Sequence, residues 1–441
     1  MKLWCQWAWL GGPQAEPGVV LDIEGDRLVS VAGGAEASPP EAERVPGLTI
    51  PGLANAHSHA FHRALRSRTQ AGRGSFWTWR DQMYRLAATL TPDSYRRLAT
   101  ATFAEMALAG ITAVGEFHYL HHGPGGGPYD EPNAMGDALV DAAAEAGVRL
   151  TLLDTCYLHG SIGQEANEVQ RRFSDGSVEA WADRTGRLAS SPTVRVGAAV
   201  HSVRAVDPEA MAQVAGWAAE RGAPVHAHVS EQPAENDDCL AAYGRTPTAT
   251  MGDAGLLGQR FTAVHATHLT AGDITALGGS HVCFCPTTER DLGDGIGPAA
   301  ALVGAGASLC LGSDSHAVID LLEEARAVEL DERLAAIARG HLSARELLAA
   351  ATEGGARSLG WPEAGRIAPG ALADLAVIDT GRVRLAGAGA DHLVEAAVFA
   401  AGAADVRDVM VGGRWVVRDG LHLRVQVSQA LEDSIAEVWS A

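Results

Sequence analysis

Positive charge is scarce in this chain. Against 54 Asp and Glu stand 34 Lys and Arg, a formal net charge of −20. A chain this acidic has no general affinity for nucleic acid or for an anionic membrane surface. It can still hold a small anion in a locally basic pocket. Cysteine is scarce too: Cys5, Cys156, Cys239, Cys283, Cys285 and Cys310 are scattered. Only Cys283 and Cys285 are close. Two residues apart on a strand they are poor disulfide partners, and no zinc-ribbon spacing surrounds them. The six read as buried, reduced thiols of a cytoplasmic protein. No stretch approaches ~18 uninterrupted apolar residues, so no membrane span is expected. The opening "MKLWCQWAWLGG" has no clear small-residue cleavage site, and Gln and Trp interrupt its apolar run, which argues against a signal peptide. A nucleotide-type Gly fingerprint is also missing: "GPGGGP" at 123–128 lacks a strand-to-helix context and reads as a loop.

What is present is a core-forming composition. Hydrophobic residues make up 47% of 441. At ~150 residues per domain that length suggests two or three units, although a barrel of ~250 counts as one. The two ends resemble each other in texture. Residues 1–47 and 367–441 carry short alternating strands broken by Gly and Asp turns, each too short for a core of its own. They are expected to form one composite β-sandwich domain. A closing helix belongs to it, because Leu431, Ile435 and Val438 recur about one turn apart.

Residues 48–366 alternate apolar runs with Ala-rich helical stretches. The runs are "LTIPGLANAHSH", "ITAVGEFHY", "RLTLLDTCYL", "VRVGAAVHSVRA", "PVHAHVSE", "FTAVHATHL", "HVCFCPTTE" and "ASLCLGSDS". Eight such units predict an α/β fold, a (β/α)8 barrel; a doubly wound open sheet is the structural alternative. Almost every run begins apolar and ends in reactive residues: His57 and His59, Glu116 and His118, His201, His228 and Glu231, His265, Thr287 and Glu289, Asp314. Barrel enzymes build their sites at the C-terminal ends of the strands.

His57 and His59, two apart on an extended strand, project to one side. Of His226 and His228, only the one nearer the strand end reaches the barrel mouth, so His226 is expected one layer down. Asp314 closes the eighth run. His57, His59, His228 and Asp314 form a suitable shell for one zinc ion, with an open position for water. Glu231 lies three residues past His228, close enough to carry a proton. His265 is placed to orient or polarise the water, and Asp314 to serve also as base. His268 reads as a loop histidine.

This constellation resembles the amidohydrolase superfamily, in the branch with a single zinc that deaminates amidine-like carbons. "GRIAPGALADLAVIDT" and "VMVGGRWVVRDG" are similar to that family's terminal β-sandwich segment. Four stretches, "SFWTWRDQMYRL", "EFHYLHH", "HSVRAV" and "CPTTERDLGDGIG", resemble the formimidoylglutamate deiminases. That resemblance implies hydrolysis of N-formimino-L-glutamate to N-formyl-L-glutamate and ammonia in histidine degradation, one zinc per chain and a homodimer. It assigns substrate contacts to Arg80, Tyr119, His201 and Arg204. Two arginine forks suit a dicarboxylate. One position departs: where that family usually has Gln in contact with substrate, this chain has His62. The departure opens a related substrate such as N-formimino-aspartate. Arg290, after "CPTTE", has no assigned role. The alternatives are another aminohydrolase acting on a guanine- or adenosine-like ring, and a non-catalytic barrel scaffold.

Overall fold

The computed structural model describes residues 1–71 and 73–440. Sixteen strands appear among them: β1 (Lys2–Ala8), β2 (Glu16–Glu24), β3 (Arg27–Ala32), β4 (Glu43–Pro51), β5 (Leu53–Ser58), β6 (Ile111–His118), β7 (Arg149–Cys156), β8 (Val194–Val200), β9 (Val225–Val229), β10 (Phe261–His265), β11 (His281–Phe284), β12 (Ser308–Leu311), β13 (Leu375–Ile378), β14 (Val406–Val411), β15 (Arg414–Arg418) and β16 (Leu421–His422).

Strands β5 to β12 close into a barrel in chain order, and all eight neighbouring pairs are parallel. Each of the eight apolar runs supplies one of them. Every residue of β5, β6, β7, β9, β10 and β11 is buried. Helices cover the outer face and side chains fill the inner one, which is why these runs read as continuously apolar.

The seam between β12 and β5 is the thinnest part of the wall, with only Leu311 paired to Asn55 in register. Side chains reinforce it. Asn55 Nδ2 donates to Ser313 Oγ at 2.7 Å, and the Ser313 N–H donates to Asn55 Oδ1 at 3.0 Å. Gly312 sits between them because nothing larger fits: a Cβ there would lie 2.7 Å from that of His57 and 2.9 Å from Cys285 Sγ.

The two ends of the chain meet in one mixed sheet of order β16-β15-β14-β13-β4-β1-β2-β3. It curls on itself. Arg27 at the start of β3 bridges to Leu372, and the Leu28 N–H reaches Ala371 O at 2.9 Å. The curled sheet encloses a separate core that includes Leu3, Leu21, Leu28, Val45, Leu375 and Val377. Leu48–Pro51, which the sequence groups with the first barrel run, belongs to this sheet through pairing with β13; the chain crosses to the barrel at Gly52. The closing helix (Val427–Ser440) packs on the barrel instead of the sheet. Its Trp439 Nε1 donates to Ala64 O at 2.9 Å, and Thr89 Oγ1 donates to Val438 O at 3.2 Å. No helix among the described residues is long and apolar enough to cross a membrane.

A buried ion pair joins sheet to barrel. Arg149, which opens β7, donates from Nε and Nη2 to the two oxygens of Asp374 at 2.7 and 3.1 Å, and both residues are 1% exposed. Asp374 Oδ1 also accepts the Gly412 N–H at 2.7 Å. Removing one partner of such a pair strands a charge in the interior. Asp374→Ala is therefore expected to lower unfolding stability by ~3–5 kcal/mol. Glu437→Ala, which deletes the exposed Arg97–Glu437 pair, should cost less than ~1 kcal/mol. Chemical denaturation of the two variants beside the wild type checks both values.

Candidate active site

The C-terminal ends of β5 and β9, with the turn after β12, bring four side chains to one point. His57 Nε2 and His59 Nε2 lie 3.3 and 3.4 Å from Asp314 Oδ1, and His228 Nε2 lies 3.2 Å from His57 Nε2. The imidazole planes of His59 and His228 both stand steeply to that of His57 and are tilted relative to each other, so the nitrogens converge while the rings fan out. All four residues are buried.

Tautomers follow from the other ring nitrogens. His59 Nδ1 donates to Phe117 O and His228 Nδ1 to His201 O, both at 2.9 Å. Each Nε2 then carries a lone pair aimed inward. Burial pushes His59 down to about 3, with repulsion from His57 next, so this ring stays neutral. Burial likewise lowers His57 and pushes His228 well below the usual histidine range. Asp314 stays ionised: burial opposes this, but the hydrogen bond with His57 and the charge of His265 help to hold the carboxyl far below its ordinary value. Neutral imidazole lone pairs and a carboxylate facing one another at hydrogen-bond distance suit a cation, and this donor set fits a zinc-sized ion.

His265 stands beside this cluster. Its Nε2 is 3.8 Å from Asp314 Oδ2 and 3.7 Å from Glu231 Oε1, and its Nδ1 is 3.3 Å from Glu289 Oε1. Burial works against its protonation. The Glu231 charge, the hydrogen bond to Glu289 and the Asp314 charge prevail and raise it to about 10. The backbone here is strained: His265, Ala266 and Asp314 adopt φ of 67°, 49° and 40°. Left-handed backbone at non-glycine residues costs of order 1–3 kcal/mol each and concentrates at functional sites.

A cavity of about 420 Å³ opens over the cluster. His62, Arg80, Tyr119, His201 and Arg204 line it together with His59, His228, Glu231, His265 and Asp314; His57 lies beneath. Every site residue singled out from the sequence is thus in one place. Arg80 comes from the helix Phe76–Thr89 and lies over Trp77, 4.5 Å from the ring centre. His62 Nε2 and Tyr119 OH are 3.0 Å apart. Arg204 is not free: its Nη2 donates to Glu231 Oε2 at 3.3 Å, and its Nε lies 3.4 Å from Glu235 Oε2.

Other strand-end residues take supporting positions. Glu116 accepts from Ser58 Oγ and from the Ala60 N–H, both at 2.6 Å, which ties the His57–His59 segment to β6; burial raises its carboxyl to about 8. His118 faces His121, 3.3 Å away, outside the cavity. The carboxylate next to that pair, Asp154, is taken up by Arg184, Trp181 and Thr185. Thr287 bonds Glu324 instead of entering the site. His226 is held one layer down by Ser358 O, and His268 by Asp294 O. Arg290 pairs with Asp331 near the surface.

Glu289, one of the reactive strand-end residues read from the sequence, lies 3.3 Å from His265 Nδ1. One position beside the site was not singled out from the sequence: Glu235, whose carboxylate faces Arg204. Glu235 falls in the first turn of the helix Pro233–Tyr243, where an acidic residue reads as an ordinary helix-start signal. Its carboxylate accepts the Ser230 N–H at 2.9 Å.

Known proteins match this geometry along nearly the whole chain. The Amidohydrolase family matches residues 48–416. The chain is 41% identical over 403 residues to a formimidoylglutamate deiminase of Pseudomonas aeruginosa, covering 88% of each protein. It is 31% identical over 415 residues to an 8-oxoguanine deaminase of the same species, covering 91% of this chain and 90% of that one. The crystal structure of an amidohydrolase from Brucella melitensis superposes with a TM-score of 0.92 at 34% identity over 99% of each chain. An adenosine deaminase from Xanthomonas campestris with bound zinc shares the fold, with a TM-score of 0.85 at 24% identity over 100% of this chain and 98% of that one. With eight parallel strands carrying a histidine–aspartate cluster at their C-terminal ends, and with this family matched from β4 to β15, the chain belongs to the amidohydrolase family.

Proposed function

We propose that this protein hydrolyses N-formimino-L-glutamate to N-formyl-L-glutamate and ammonia, with one zinc ion held by His57, His59, His228 and Asp314. The observation that carries the substrate is the placement of two guanidiniums, Arg80 and Arg204, in the cavity beside the metal cluster. Guanidinium forks pair bidentately with carboxylates, and this substrate has two. The similarity to the Pseudomonas aeruginosa formimidoylglutamate deiminase supports the same reading.

Bound there, the metal supplies Lewis acidity that makes water a nucleophile near neutral pH. The residues supply the rest. Arg80 and Arg204 hold the carboxylates, and Tyr119, His62 and His201 orient the chain between them. Asp314, ionised in its cluster, takes one proton from the attacking water. His265 is protonated, and from Nε2 it donates toward the oxygen that becomes the formyl oxygen. Glu231 carries the remaining water proton to the formimino nitrogen, with the ~10²–10⁴-fold gain typical of general acid–base catalysis. The C–O bond forms and the C–N bond breaks. Asp314 gives up the proton it took to the same nitrogen as the C–N bond breaks, so both water protons finish on it and it leaves as ammonia.

Elemental analysis should find about one zinc per chain, the count for a site with four protein ligands. Near-stoichiometric zinc in a His228→Ala, Asp314→Ala double variant would show that the ion sits elsewhere.

Arg204→Met should lower kcat/KM for N-formimino-L-glutamate by roughly 30- to 5,000-fold, the effect of losing a buried charged contact worth ~2–5 kcal/mol. Arg80→Met should do less, because its helix lies near the mouth. His62→Gln should preserve or raise activity on formimino-glutamate, or shift preference between it and formimino-aspartate if His62 marks a changed substrate. The measurement is kcat/KM for both compounds in the four proteins. Wild-type protein inactive on both but releasing ammonia from guanine would overturn the substrate.

A further inference from the structure

The two guanidiniums of the cavity differ in their partners. Arg80 is stacked on an aromatic ring, and its buried Nε has no hydrogen-bond partner among the described residues. Arg204 is held on three sides. Its Nε donates to Ser202 Oγ at 3.2 Å and lies 3.4 Å from Glu235 Oε2, while its Nη2 donates to Glu231 Oε2 at 3.3 Å. The two carboxylates around it also differ. Glu235 is 2% exposed and pinned by the Ser230 N–H. Glu231 borders the cavity, and its second oxygen looks toward His265. The residue best placed to move a proton is thus held by the residue best placed to bind an anion.

We propose that Arg204 selects substrates by partner exchange. A substrate carboxylate displaces Glu231 from Nη2, Glu235 keeps the guanidinium anchored, and the released Glu231 turns to the reacting carbon. This deepens the reading given above and rests on it. The physical basis is charge matching. A carboxylate can replace a carboxylate on a buried guanidinium without leaving either charge unpaired, whereas a neutral ligand cannot break the pair. Binding energy from a part of the substrate far from the formimino group is thereby spent on the chemical step, so a substrate lacking that carboxylate loses kcat and not only affinity. The proton path is unchanged: Glu231, once free, takes one water proton from oxygen to nitrogen as the C–N bond breaks.

Three compounds test the exchange: N-formimino-L-glutamate, N-formimino-4-aminobutyrate and N-formimino-L-2-aminobutyrate, the last two each lacking one carboxylate. In the wild type, the compound missing the Arg204-bound carboxylate should lose kcat by roughly 10- to 100-fold, the range spanned by one hydrogen bond to a charged group. Arg204→Met should recover most of that kcat on this compound while lowering kcat/KM for formimino-glutamate. Added propionate should raise the wild-type rate on the same compound saturably and do nothing for Arg204→Met; this arm needs no variant to fold. Loss confined to KM with both truncated compounds, equal loss of kcat by Arg204→Met on all three, or propionate acting only as an inhibitor would each overturn the exchange. Turnover of formimino-glutamate with any of those results leaves the proposed reaction standing. No ammonia from any of the three compounds would overturn both.

Discussion

Asp314 is where the barrel closes and where the site's charges meet. Its N–H donates to His57 O at 3.0 Å, and its carbonyl accepts the His59 N–H at 3.3 Å. These two bonds carry the seam past the single registered pair between β12 and β5. The same residue aims its carboxylate at both imidazoles. Backbone closure and the placement of the histidine–aspartate cluster are therefore one constraint. The φ of 40° shows that Asp314 meets it at some conformational cost. Gly312 two residues earlier permits the close approach to His57.

Charge around this point is arranged in layers. Innermost are imidazoles kept neutral by burial and one ionised carboxylate. Next comes His265, held protonated by Glu231, Glu289 and Asp314 acting together against its burial. Outside these, Arg204 neutralises Glu231 and Glu235. Each layer satisfies the one inside it, so Asp314, His265, Glu231 and Glu235 each face an opposite charge. The cavity presents Arg80 as a cation with no carboxylate bonded to its guanidinium among the described residues, beside Arg204 with its carboxylate partners. An acidic chain thus keeps a local preference for anions.

Much of this was legible in the sequence. Strands buried on both faces must be apolar throughout, so eight such runs with helices between them identify the barrel. Reactive residues at the ends of those runs point to its mouth. The His57-Ser58-His59 spacing puts two rings on one side because strand alternation leaves no other choice. The terminal strands, each too short to bury a core, had to meet. The boundary was less legible: Leu48–Pro51 is as apolar as a barrel strand, and only its pairing with β13 assigns it to the sheet. The last helix shows its apolar stripe in the sequence but not its partner, and that stripe lies on the barrel.

By itself the sequence determined which residue types end each strand, and hence the metal-type cluster, Glu231 beside it and the two arginines. Tertiary structure alone decided how these groups are paired. Glu235 looks like an ordinary acidic residue in the first turn of a helix, and Glu289 shows only as a reactive residue at the end of its run. What each of them faces is set by distances of 3.4 and 3.3 Å to Arg204, in the segment after β8, and to His265, at the end of β10. Local chain chemistry dictates which face a side chain occupies, because the periodicity of a strand or helix is a local property. It cannot dictate which charge stands opposite. That depends on where the barrel closes, and closure is a property of all eight strands together.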